Sequence, residues 1–93
     1  MVAMTLIEAL KHAEAVQAKF GLQPRDTITL TMLYDAQKDG CSLADLSGAH
    51  TEDRRNTGVA RLSLKRLGDW VERDDSGQYC LAAAARRQLS KPC

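Results

Sequence analysis

Between Ser42 and Leu67 the chain is punctuated as two helices joined by a short connection, and the rest of the sequence has to be arranged around that pair. Ser42-Leu43-Ala44-Asp45 has the spacing of a capping box. A serine oxygen there accepts from orphan amides while the acid three residues on suits the positive end of the helix. The predicted helix is short, to about Ser47, and Gly48 is expected to take the sharp turn that follows. The next helix has two equally good starts. Thr51, with Glu52 and Asp53 behind it, supplies a cap and two acids; Asn56 or Thr57 as the cap instead puts Gly58 in the first turn. Either version runs to Leu67.

Upstream, Leu6, Leu10, Ala13, Val16 and Phe20 recur every three or four residues, which predicts one amphipathic helix over 4–20 with Gly21 as its stop. Pro24 and Asp26 read as the first turn of another helix, extending to Lys38 and ended by Asp39-Gly40. Thr27 to Met32 also alternates with the period of a strand. The helical stripe of Ile28, Met32, Leu33 and Ala36 and the length of the segment decide for helix. Downstream of Gly68, Trp70-Val71-Glu72-Arg73 and Gln78-Tyr79-Cys80-Leu81 flank Asp74-Asp75-Ser76-Gly77, a predicted β-hairpin in which Trp70 and Tyr79 are core candidates rather than stacking platforms. The alanine-rich 82–89 segment is a closing helix, and Pro92 prevents its extension. With 93 residues, 44% of them hydrophobic and 27% charged, the chain is expected to form one mainly α domain with a small hairpin over 1–93. Its parts are 4–20, 24–69, 70–81 and 82–89.

A net charge of +1 hides a segregation. Residues 1–53 carry four Lys/Arg against eight Asp/Glu, and residues 54–93 carry nine against four. The 54–68 stretch holds Arg54, Arg55, Arg61, Lys65 and Arg66 and no acid, the local excess expected of a phosphate-binding surface. A solvated basic helix face has the same composition. With Val59 at zero and about 100° per residue, Leu62, Ala60, Leu64 and Leu67 fall between about 300° and 140°, while Arg61, Arg54, Lys65 and Gly58 fall between about 200° and 260°. The expected core face and the basic face are therefore opposed.

Other classes find little in the sequence. The apolar runs are far shorter than the roughly 20 residues that cross a bilayer, and the start of the chain lacks a signal-peptide layout, so a cytoplasmic protein is expected. Cys41, Cys80 and Cys93 contain no C-x-x-C pair and with His12 and His50 give no ligand spacing, so they are read as reduced thiols, with no metal and no cofactor. No Ser/His/Asp or Cys/His frame and no Gly-rich phosphate loop is present, and no enzyme activity is expected.

The order of helices, helix-turn-helix, hairpin and final helix resembles the winged helix-turn-helix regulators of bacteria and phages, loosely the MarR-like branch. The resemblance spans roughly 24–89. It rests on Ser42-Leu43-Ala44-Asp45-Leu46-Ser47 and on Leu64-Lys65-Arg66-Leu67-Gly68-Asp69-Trp70-Val71-Glu72-Arg73, which is similar to the family's junction between recognition helix and wing. Tyr79-Cys80-Leu81 and the helix behind it look like the exit from the wing, which here lacks the family branch's Asp-x-Arg. The resemblance implies sequence-specific binding of double-stranded DNA by a transcriptional regulator, a repressor by analogy. Arg54, Arg55, Asn56, Thr57, Arg61 and Lys65 would face the major groove or its phosphates, and Arg73 the wing contact. Arginine and asparagine are suited to guanine and adenine edges, lysine and a helix start to phosphate. A homodimer through Leu6, Ile7, Leu10 and Phe20 is expected, since so small a body is not expected to cover them all. A protein-binding adaptor of the same fold, or a replication accessory protein, is the alternative, because fold does not fix function.

Overall fold

The computed structural model describes residues 4–92. It is mainly helical with one small antiparallel hairpin. In chain order the elements are α1 (Leu6–His12), α2 (Glu14–Lys19), α3 (Pro24–Ala36) with a 3-10 turn over Gln37–Asp39, α4 (Leu43–His50), α5 (Gly58–Leu67) with a 3-10 turn over Gly68–Trp70, β1 (Val71–Arg73), β2 (Tyr79–Leu81) and α6 (Ala83–Ser90).

The single N-terminal helix expected over 4–20 is two helices. Ala13 between them is extended at φ −126°, ψ 105°. No proline or glycine marks the break, and a tertiary contact accounts for it. The Gln17 side-chain amide folds back and donates to the Leu10 carbonyl at 2.6 Å, taking an acceptor that a continuous helix would have used itself. The turn brings Phe20 edge-on to Trp70, ring centroids 6.2 Å apart. Leu6, Ile7 and Leu10 are buried in the chain's own core, and of the four residues expected to need a second copy only Phe20, 37% exposed, reaches the surface. The body covers more of its stripe than its size implied, because α6 and α3 close over α1.

Strand-like alternation in Thr27–Met32 yields to helix, as expected. Leu30 and Leu33 are fully buried beside Leu10, Leu46 and Leu89. The last carbonyls of α3 are taken by Arg86 of α6, which donates to Leu33 O and Tyr34 O at 3.2 and 3.0 Å while its guanidinium lies over the Tyr34 ring. The segment after α3 passes close under the hairpin. Cys41 exchanges both backbone hydrogen bonds with Tyr79, at 2.8 and 2.7 Å, so β2 is paired with β1 on one edge and with Cys41 on the other. Gly40 makes that approach possible: its φ is +71°, and a Cβ there would stand 2.7 Å from the Cys80 sulfur and 2.8 Å from Tyr79 O.

The capping box of α4 forms as read, Ser42 Oγ accepting from Asp45 N at 3.1 Å and Asp45 Oδ2 accepting from Ser42 N at 3.4 Å. The end of α4 is different. It continues through Gly48 to His50, so Gly48 lies inside a helix and is not the turn. The connection to α5 is instead Thr51–Thr57, and of the two expected starts the later one is found, with Thr57 at the cap position and Gly58 first. The hairpin pairs Val71 with Leu81, Glu72 with Cys80 and Arg73 with Tyr79. Its turn is held by Asp74, whose Oδ1 accepts from Ser76 N, Ser76 Oγ and Gln78 N at 2.7–2.9 Å. Trp70 and Tyr79 are half-buried and pack against the core.

Candidate nucleic-acid interface

Beside the buried Ala60 and Leu67, a set of hydrogen-bonded polar groups links α5 to α3 and α4. Asp26, at the start of α3, is fully buried and grips Arg66 of α5: Nε donates to both carboxylate oxygens at 3.0 Å and Nη2 to Oδ1 at 2.8 Å. Ser63, also fully buried, donates to Asp26 Oδ1 at 2.9 Å. Its oxygen lies 2.9 Å from Thr29 Oγ1, which lies 2.9 Å from His50 Nε2 at the end of α4. Burial works to raise the Asp26 carboxyl, but the bonds from Arg66, the Gln23 amide and Ser63 outweigh it and hold the group below the usual carboxylate range. For His50 the balance favours the neutral ring: burial first, then the Arg25 and Arg66 charges, push its pKa down against the opposing pull of Asp26. Asp26 was legible only as a helix-start acid, and nothing local announced Arg66 as its partner 40 residues on. The available signal was Ser63, a small polar residue at helical spacing between Ala60 and Leu67.

This lattice also explains why the core face of α5 is rotated from the expected one. Ala60, Ser63 and Leu67 are buried, Leu64 is half-buried, and Leu62, expected inside, is 58% exposed. The Ser63 hydroxyl is drawn to Asp26 and Thr29, which carries Leu62 outward. Arg61 and Lys65 stay on the solvent side, as expected.

The seven residues singled out by sequence fall into three settings. Arg54, Arg55, Asn56 and Thr57 lie in the Thr51–Thr57 connection. Arg54 is partly committed, paired with Asp45 on α4 and donating from Nε to Ala44 O at 3.4 Å. Asp45 is held below the usual carboxylate range, first by the Ser42 hydrogen bonds and also by Arg54. Arg55 extends into solvent with a 3.3 Å contact to Asp53, and Asn56 is exposed. Arg61 and Lys65 lie on the outer face of α5, with Arg61 Nε donating to Thr57 Oγ1 at 3.0 Å. Arg73 is on the hairpin, its guanidinium 5.5 Å from the centre of the Tyr79 ring across the strand pair. The structure thus joins Arg61 to Thr57, ties Arg54 back to α4, and gives Arg73 a separate mount. The first turn of α5 holds no acid and the Thr57 side chain, taken by Arg61, caps none of the opening amides, which leaves the positive dipole end of the helix without a side-chain acceptor.

Among the described residues no group of three or more His, Cys, Asp or Glu is placed to hold a metal ion. Cys41 and Cys80 are free thiols, and Cys93 lies outside the described residues. No helix among the described residues is long and apolar enough to cross a membrane. Comparison with known proteins gives no match to any family model, curated protein or solved structure.

Proposed function

We propose that this chain is a winged helix-turn-helix protein that binds double-stranded DNA with sequence preference, as a transcriptional regulator, with α5 in the major groove and the β1–β2 hairpin as the wing. The observation that carries the reading is the outer face of α5. It presents Arg61 and Lys65 with no acid anywhere between Arg54 and Gly68, on a helix whose inner face is locked by Asp26, Ser63 and Arg66. A protein adaptor has no need of an acid-free face; a phosphate-bearing ligand does.

The roles follow from chemistry. The uncapped start of α5 and Arg55 suit phosphate, and Arg61, Asn56 and Lys65 are the groups able to reach base edges. Arg73, propped on Tyr79, would meet the backbone or minor groove beside the wing. Two connections support a rigid presentation of both parts: Cys41 bonds the hairpin to the segment ahead of α4, and Arg66 ties α5 to α3. The proposal is made for the single chain, since Leu6, Ile7 and Leu10 are already covered.

The test is an amide-shift titration of the labelled chain with a short duplex. The reading expects changes concentrated in 54–66 and 73–78, weakening as salt rises. Changes confined to α1, α2 or α6, or none at low salt, would reject it.

A further inference from the structure

We infer that Leu62 reads the C5-methyl group of a pyrimidine, in thymine or 5-methylcytosine, in the major groove of the bound duplex; this rests on the DNA-binding reading of α5. Among the described large hydrophobic residues Leu62 is the most exposed, 58% against 46% for Met4, 43% for Ile28 and 37% for Phe20. It borders the Arg61–Lys65 face proposed to enter the groove, about 60° round the helix from Lys65. Helix stability does not call for it there, because alanine, lysine or arginine serves an exposed helix position equally well.

The surroundings leave its apolar surface open. A helical side chain leans toward the start of its helix, so Leu62 stands over the turn that contains Gly58, four residues earlier. Gly58 has no side chain to cover it, and a Cβ at Gly58 would meet only Asn56 Oδ1, at 3.7 Å. Arg61 is drawn toward the helix start by its bond to Thr57 Oγ1 and so does not lie across Leu62. Lys65 and Arg66 are the exposed neighbours one turn on, and Arg66 is turned toward Asp26. The result is one uncovered apolar side chain, Leu62, beside the bare backbone of Gly58 and bordered by cations. Leucine has neither donor nor acceptor. Of the groups that base pairs offer in the major groove, the pyrimidine C5-methyl is the apolar one, and it alone rewards such a side chain.

The experiment starts from a randomised duplex pool selected on the full chain. The enriched duplex is then remade with deoxyuridine in place of each thymidine in turn, and separately with 5-methylcytosine in place of each cytosine. Wild type and Leu62→Ala are titrated with every version. One methyl contact is worth about a fourfold change in affinity. If thymine is read, one deoxyuridine position weakens wild type by about that factor and leaves Leu62→Ala unchanged, a coupling that a general loss of affinity does not produce. If methylcytosine is read, one methylated position tightens wild type alone. Duplex binding in which every substitution acts equally on both proteins overturns the Leu62 assignment and leaves the DNA reading standing. A pool from which nothing is enriched, with no binding at low salt, overturns both.

Discussion

The two sides of α3 are held in different ways. Toward α1 and α6 the fully buried contact is hydrocarbon, through Leu10, Leu30, Leu33 and Leu89, and Arg86 and Ser90 add polar contacts only where they meet the last turn of α3. Toward α4 and α5 the same apolar core continues through Leu46, Ala60 and Leu67, but a polar lattice is added to it, with Asp26, Thr29, Ser63, Arg66 and His50 linked at 2.8–3.0 Å. Apolar burial is non-directional and supplies stability at almost any packing angle. A bidentate guanidinium–carboxylate pair contributes little net stability over a well-packed apolar substitute but fixes geometry through its fork. The apolar contacts keep the chain folded, and the polar lattice aims α5. The aimed helix is the one that carries Arg61, Leu62 and Lys65.

The largest expected effect is on the apolar side. Leu30→Ala removes a fully buried side chain and is expected to cost about 3 kcal/mol in denaturant unfolding. On the polar side, Arg66→Met leaves the Asp26 carboxylate buried without its cation and is expected to cost about 2 to 3 kcal/mol, reduced from the fully buried case because Arg66 keeps about a third of its side chain in water. The combined Asp26→Leu, Arg66→Met replacement sharpens the contrast. It is expected to fold within about 1 kcal/mol of wild type yet bind duplex more weakly, because the pair is gone without leaving a buried charge. If the combined variant binds as wild type does, the polar side does not aim the helix.

Acid separates the sides more gently. The folded-state pKa of Asp26 is below its unfolded value, so the stability it confers is complete above about pH 4 and fades as pH falls through the folded value. His50 is also shifted down, so its contribution is complete above about pH 6.5 and is lost as pH falls below that toward its folded value. Unfolding measured between neutral and weakly acid pH should show a decline in wild type that His50→Gln lacks. The apolar side has no such dependence, and Leu30→Ala should keep the wild-type pH slope. The smallest effect is on the outer face: Leu62→Ala is expected to change stability by less than about 0.5 kcal/mol.

The same contrast explains what could be read from the amino-acid order. The Ser42–Asp45 cap, the Pro24 start and the hairpin around Asp74–Gly77 depend on residues within a few positions of one another, and each was legible. The break at Ala13 and the outward turn of Leu62 depend on contacts that the residues beside them do not announce. Gln17 reaches back to Leu10, and Ser63 is drawn to groups more than thirty residues away. The Leu6, Ile7 and Leu10 stripe was visible as apolar, but its cover came from α3 and α6 of the same chain. At the candidate interface, the basic residues were legible as composition. The pairing of Arg54 with Asp45 and of Arg66 with Asp26 was not, so two of the five cations between Arg54 and Gly68 turn out to have partners on other helices.

The most direct test of the account is fluorescence anisotropy with a labelled duplex over about 50 to 200 mM salt, comparing wild type with Arg61→Ala, Lys65→Ala. The account predicts that wild-type affinity falls steeply with salt, and that the paired substitution weakens binding and lowers the log–log salt slope by about two while thermal unfolding is unchanged. Wild-type binding that is absent at the lowest salt, or that keeps its full salt slope without Arg61 and Lys65, would contradict it.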